Sequence, residues 1–240
     1  MKYYFINNSI AIDVLGHYPQ VKDIKQNCNI WDEPKFIEHI QFKEIDFIPI
    51  TANAILNSKS KLTDLINVTG IGFTRKLLIS KKLKIIFEKS RKTGLQFFKS
   101  DLIYKNNIIE DYWILNIYKV DMQFIDYSKS DIYKTEYTVN KTEKILINTY
   151  SEFLNKRNQI HKQGYPSDIF IENFNLNQNV TEDFFAILNV MGGVNYIVSE
   201  KLKKEIEYAG CTGIEFQPIE LSYQEWVAPG GMREKIYGKV

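Results

Sequence analysis

Apolar positions along the chain follow two periods, and where the period changes the elements can be read. Leu83, Phe87 and Ser90 fall at i, i+4 and i+7, as do Leu202, Ile206 and Ala209, with lysines between them. This spacing predicts two amphipathic helices, each turning one stripe to a core. Both begin after a serine, Ser80 or Ser199, whose hydroxyl can accept from an orphan N–H of the first turn. Gly94 and Gly213 are expected to end them as left-handed C′ residues. Beyond each glycine the period drops to two: Leu95 and Phe97 flank Gln96, and Ile214 and Phe216 flank Glu215, as in half-buried strands. From Ser80 to Phe97 and from Ser199 to Phe216, eight of eighteen positions are identical without a gap. The two segments therefore read as an internal repeat of one strand-helix-strand unit.

The remainder is less periodic. Tyr3 to Ile6 reads as an opening strand, and Tyr112 to Val120, bulky on both alternating faces, as a central strand covered on each side. Asp121 to Ser130 reads as polar punctuation, and Tyr137 to Tyr150 as one or two further strands. Asn155 to Ser167 reads as a loop, Thr181 to Leu188 as a short capped helix ended by Gly192-Gly193, and Asn53 to Leu65 as a short helix. These elements predict an α+β fold: a mixed sheet with two repeated strand-helix-strand units packed around one core. Residues 1–70 are expected as a less regular portion on a body spanning 71–222, and 223–240, broken by Ala228-Pro229-Gly230-Gly231, as a tail or contact arm.

Composition narrows the class. Hydrophobic residues at 44% and charged residues at 25% suit a folded globular chain, and the net charge of +2 supplies no global field toward nucleic acid or anionic lipid. No run of eighteen apolar residues or signal-peptide core occurs, so a cytoplasmic location and no membrane partner are expected. Cys28 and Cys211 have no metal-ligand or redox spacing and are read as reduced thiols.

Chemistry-bearing residues are sparse. His17, His39 and His161 share no metal-binding spacing, and Gly70-Ile71-Gly72 lacks the rest of a dinucleotide fingerprint. Cys211 would sit at a helix C-terminus, where the dipole disfavours a thiolate. No catalytic, cofactor or metal residue is assigned. A basic run (Arg75, Lys76, Lys81, Lys82, Lys84, Lys89, Arg91, Lys92) could meet phosphates, but its counterpart in the second copy is mixed in charge, which makes nucleic acid the lesser reading. Carboxylates and rings around the central strand fit protein recognition better. Glu110, Asp121, Asp126, Tyr127 and Asp131 are the expected partner contacts.

The order of these motifs resembles a known family. Tyr3-Tyr4, the strand Tyr112-Trp113-Ile114-Leu115-Asn116, the turn Asp126-Tyr127-Ser128-Lys129-Ser130, and the unit from Val198 to Pro218 are similar to the immunity proteins numbered eleven among bacterial polymorphic toxin systems, formerly a domain of unknown function. The resemblance covers roughly residues 75 to 220 and the first few. It implies a cytoplasmic antidote that binds and neutralises a cognate toxin effector, with no enzyme activity and no cofactor. A nucleic-acid-binding regulator using residues 75–92, or an enzyme of unrecognised type, are the alternatives.

Overall fold

The computed structural model describes residues 1–137 and 140–239. The first half holds β1 (Tyr3–Asn8), a helical turn α1 (Ile12–Leu15), β2 (Val21–Lys25), β3 (Asn53–Leu56), β4 (Leu65–Ile66), β5 (Leu77–Ser80), α2 (Lys81–Ser90) and β6 (Leu95–Lys99). A hairpin of β7 (Leu102–Tyr104) and β8 (Asn107–Ile109) leads to β9 (Tyr112–Ile117), β10 (Ile125–Glu136), β11 (Asn140–Ile145), α3 (Tyr150–His161) and β12 (Ser167–Leu176). Then follow β13 (Phe184–Val190), β14 (Gly193–Ser199), α4 (Glu200–Tyr208), β15 (Ile214–Pro218), α5 (Tyr223–Val227) and α6 (Met232–Tyr237). The fold is α+β, with mixed sheets in the orders β11-β10-β12-β13-β14-β1-β15 and β2-β3-β7-β8 and an antiparallel sheet in the order β4-β5-β9-β6.

The two Ser-to-Phe segments adopt the same geometry. β5 and β6 both pair antiparallel with β9, which lies between them, and β14 and β15 both pair antiparallel with β1. The registers coincide: Ser80 faces Tyr112 and Leu95 faces Ile117, while Ser199 faces Tyr3 and Ile214 faces Asn8. Each serine caps its helix, accepting from Leu83 N–H at 3.3 Å and Leu202 N–H at 3.1 Å, a bond that contributes about 1 kcal/mol. Each hydroxyl also donates to an aspartate sixteen residues earlier, Ser80 to Asp64 at 2.6 Å and Ser199 to Asp183 at 2.5 Å. Lys84 lies over the Phe97 and Trp113 rings, and Lys203 over Phe216 and Tyr4, at equivalent positions. The strand completing the second unit, β1, comes from the opposite end of the chain, whereas β9 follows β6 after one hairpin.

The interior is divided rather than single, because the strands around β1 and those around β9 are covered on both faces. The middle layer joins the stripes of α2 (Leu83, Ile86, Phe87) and α4 (Leu202, Ile206) to both sheets, and Phe87 stacks on Phe184 at 4.2 Å. Fully burying each such side chain contributes roughly 1.5–3 kcal/mol. On the far side of the seven-stranded sheet, Phe5, Phe185 and Ile197 meet Ile132, Phe153 and Ile171 of β10, α3 and β12. On the far side of β4-β5-β9, Leu78, Tyr112 and Ile114 meet Phe36, Ala54 and Leu102 of the N-terminal portion. Residues 1–70 thus contribute a central strand, β1, and an edge strand, β4, to the sheets.

Several local expectations are corrected. Phe184–Val190 is a strand rather than a helix: its apolar run is buried on both faces, and Asp183 serves the cap of α4. Asn155–His161, expected in a loop, belongs to the helix Tyr150–His161, which is capped by Thr149 and held by buried Phe153 and Ile160. Asn53–Leu56 is a strand in register with β2, not a helix. Asp126–Ser130 lies within β10 at a bulge, not at a turn. Within the stretch Tyr137 to Tyr150, β11 forms, whereas Thr138 and Val139 lie outside the described residues. Gly94 and Gly213 sit beyond the helix ends, where the C-caps are Arg91 and Ala209, and each opens the next strand with φ of 88° and 83°. Residues 223–237 form two helices packed on β15: Trp226 is 1% exposed, and Arg233 pairs with Glu215 at 2.7 Å. They are a docked cap, not a loose tail. Among the described residues no helix is long and apolar enough to cross a membrane.

Candidate partner-binding surfaces

Side chains alternate along a strand, so neighbours on β10 face opposite ways. Asp126 points outward to Lys129 at 2.9 Å and Ser128 at 2.6 Å, and these two hydrogen bonds hold its carboxyl below the usual range. Asp131, beyond the bulge, takes Lys144 at 2.6 Å and Asn173 at 3.1 Å, and its pKa is lowered for the same reason. Tyr127 between them points inward. It is 2% exposed, its ring lies 5.0 Å from Phe153, and its hydroxyl donates to Met122 O at 2.8 Å.

Asp121 is also interior. Its carboxylate receives Arg91 Nη1 at 2.7 Å and Nη2 at 3.3 Å, and Nη1 also reaches Phe184 O at 3.2 Å, which ties the end of α2 to β13. The expectation of partner contacts at Asp121 and Tyr127 is therefore corrected: buried side chains already committed to internal partners present nothing to a docked surface. Glu110 is exposed, 3.9 Å from Lys99 beside the end of β6, in the connection between β8 and β9 and away from the sheet that holds Asp126 and Asp131. The five residues do not form one cluster.

Two surfaces carry chemistry suited to protein contact. The first is the outer face of β10, β11 and β12, where charges are answered in pairs: Lys129 with Asp126, Lys144 with Asp131 and Lys141 with Glu172. Lys141 and Lys144 also lie over the Tyr133 ring. The second is the side of α2 and β6. Lys81, Lys82, Lys89 and Lys92 are exposed, and a shallow groove of about 380 Å³ runs between α2 and the half-exposed Leu95, Phe97 and Phe98.

The charged groups that sequence spacing does not single out are structural. Asp64 gathers Ser80, Lys82 and the N–H of Thr212, and Asp183 gathers Ser199 and Lys201. Their shared distance of sixteen residues before the capping serine was the signal available for them. Lys76, buried near Ile40 O and Asn116, has its pKa lowered to about 8 by desolvation. Burial and nearby Asp64 push the Cys211 thiol up to about 11, so it keeps its proton at neutral pH and is a poor nucleophile. His161 lies 3.0 Å from Asp168 at a half-exposed site. Among the described residues no three His, Cys, Asp or Glu side chains converge as metal ligands do.

No curated protein matches the chain. The profile of the Immunity protein family (Imm11) matches residues 2–221, a span that takes in all three sheets and stops just before α5. A match over that much of the sequence settles membership: the chain belongs to the Immunity protein family (Imm11).

Proposed function

We propose that this immunity protein acts in the cytoplasm of a bacterium with a polymorphic toxin system, binding a cognate toxin effector and silencing it by occlusion. The family match across residues 2–221 carries the reading. The arrangement of ionisable groups supports it, since buried Arg91 and Asp121, and Arg233 and Glu215, are spent on internal pairs that hold elements together. The work is then done by surface complementarity and not by turnover. A tight antidote needs an interface of about 1,600 Å² with a few aromatic and charged anchors. Glu110, Asp126 and Asp131 remain eligible contacts, being at the surface.

The test is co-expression with the toxin region encoded beside this gene. Cells should survive, and calorimetry on the purified pair should give a 1:1 complex with nanomolar or tighter affinity. Death of cells that contain the folded protein would refute the reading, as would protection that persists without complex formation.

A further inference from the structure

We infer that the toxin docks on the open edge of β6 and the basic face of α2, to which it contributes an acidic, extended segment. This rests on the functional reading above and adds where, and by what chemistry, the partner binds.

The argument is a comparison between the two equivalent units. In the second, the outer edge of β15 is covered by the chain itself: the N–H of Phe216 donates to the Tyr237 hydroxyl at 2.8 Å, and Arg233 closes on Glu215. Under that cap Ile214, Glu215, Phe216 and Gln217 are all buried. In the first unit β6 ends its sheet, and the matching residues Leu95, Gln96, Phe97 and Phe98 are all half-exposed. The backbone of Ile45 takes the Gln96 amide, but no strand lies beyond β6 among the described residues. A sheet edge with no further strand beside it and aromatic side chains along it is a template for strand addition, although its last carbonyl, Lys99 O, already accepts from the Thr51 hydroxyl.

Charge identifies the occupant. α4, beside the covered edge, carries three lysines and three glutamates, whereas α2, beside the open one, carries four lysines and one glutamate. Lys82 is engaged by Asp64 and Lys84 by Glu88, while Lys81, Lys89 and Lys92 stand exposed, Lys92 at the groove itself. Where the chain covers its own edge the helix is balanced, and where the edge awaits a partner the helix is positive. A complementary partner surface is therefore acidic, and it gains association rate from the field of α2.

The test uses the full chain and the purified toxin region. A K89E/K92E variant reverses two exposed charges, and K204E reverses one on the exposed face of α4. The double variant should bind the toxin roughly tenfold more weakly at low salt, mostly through slower association, and K204E should bind like the unaltered protein. Hydrogen exchange at the amides of β6 should slow in the complex. Equal affinity of the unaltered protein and K89E/K92E, with β6 exchange unchanged, overturns the proposed face and leaves the immunity function intact. Failure of the unaltered protein to bind the toxin removes the functional reading itself. Retention of a labelled single-stranded oligonucleotide at physiological salt, lost in K89E/K92E, would assign the face to nucleic acid and overturn the proposal.

Discussion

A buried carboxylate tells more about stability than about binding, and Asp121 illustrates the difference. Its two oxygens hold the guanidinium of Arg91, with both side chains almost fully enclosed. Asp121→Ala leaves that guanidinium charged and without its counter-ion, a loss of about 3–5 kcal/mol. Replacing both partners, as in R91M/D121L, removes the stranded charge and should cost much less than the single change. Urea denaturation of the three proteins checks this, and equal losses in the single and double variants would show that the pair is not what holds α2 to β13. Asp126, on the exposed side of β10, behaves differently: its bond to Lys129 is a solvated ion pair, worth about 0–1 kcal/mol. One residue of alternation separates Asp126 from Tyr127, and a strand assignment at that point would have turned Tyr127 inward from the sequence alone.

At the scale of elements, what could be read was whatever carried its own local signal. α2 and α4 show a capping serine and a 3.6-residue stripe, and β9 alternates bulky residues on two faces. β13 has neither: Phe184 to Leu188 is apolar throughout, which suits a doubly buried strand as well as a helix, and only its pairing with β14 decides. α3 buries only Phe153 and Ile160 in twelve residues, so its pattern is faint and its packing comes from β10 and β12. Gly213 was visible as a breaker, but its reason is tertiary. It joins α4 to β15 at φ 83°, and a Cβ there would overlap the carbonyl oxygen of Leu65 and the side chain of Thr63. Gly213→Ala meets both backbone strain and a clash with backbone, and should cost more than about 2 kcal/mol. Gly210, with φ 64° and open space around it, isolates the strain alone, so Gly210→Ala should cost about 1 kcal/mol. Thermal unfolding of both variants tests the ordering; a Gly213 variant no worse than the Gly210 one would remove the close approach to Leu65 as the cause.

For the whole molecule, the decisive feature is the exchange of strands between halves. β1 lies between β14 and β15, which come from the far end of the chain, while β9 lies between β5 and β6, from the half that contains β1. A division after residue 110 leaves two of the three sheets incomplete in either part, each part holding the central strand of the other's unit, and only β2-β3-β7-β8 stays whole. Cut after residue 110, the first fragment would hold β5 and β6 with no strand between them, and the second would hold β14 and β15 in the same condition. Each would expose three strands that have lost partners and one face of the middle apolar layer, in which Phe87 of one part stacks on Phe184 of the other. Unpaired buried backbone groups are costly, so the fragments 1–110 and 111–240 should each lack cooperative unfolding when made alone. Mixed or co-expressed, they should regain it, because the two missing strands are supplied reciprocally and the loop lost lies at the surface beside Glu110. Circular dichroism melts of each fragment and of the mixture measure this directly. A first fragment that melted cooperatively alone would mean that β9 is dispensable to β5 and β6, and the exchange of strands would then be an arrangement of the sheets and not the bond that makes the two halves one folding unit.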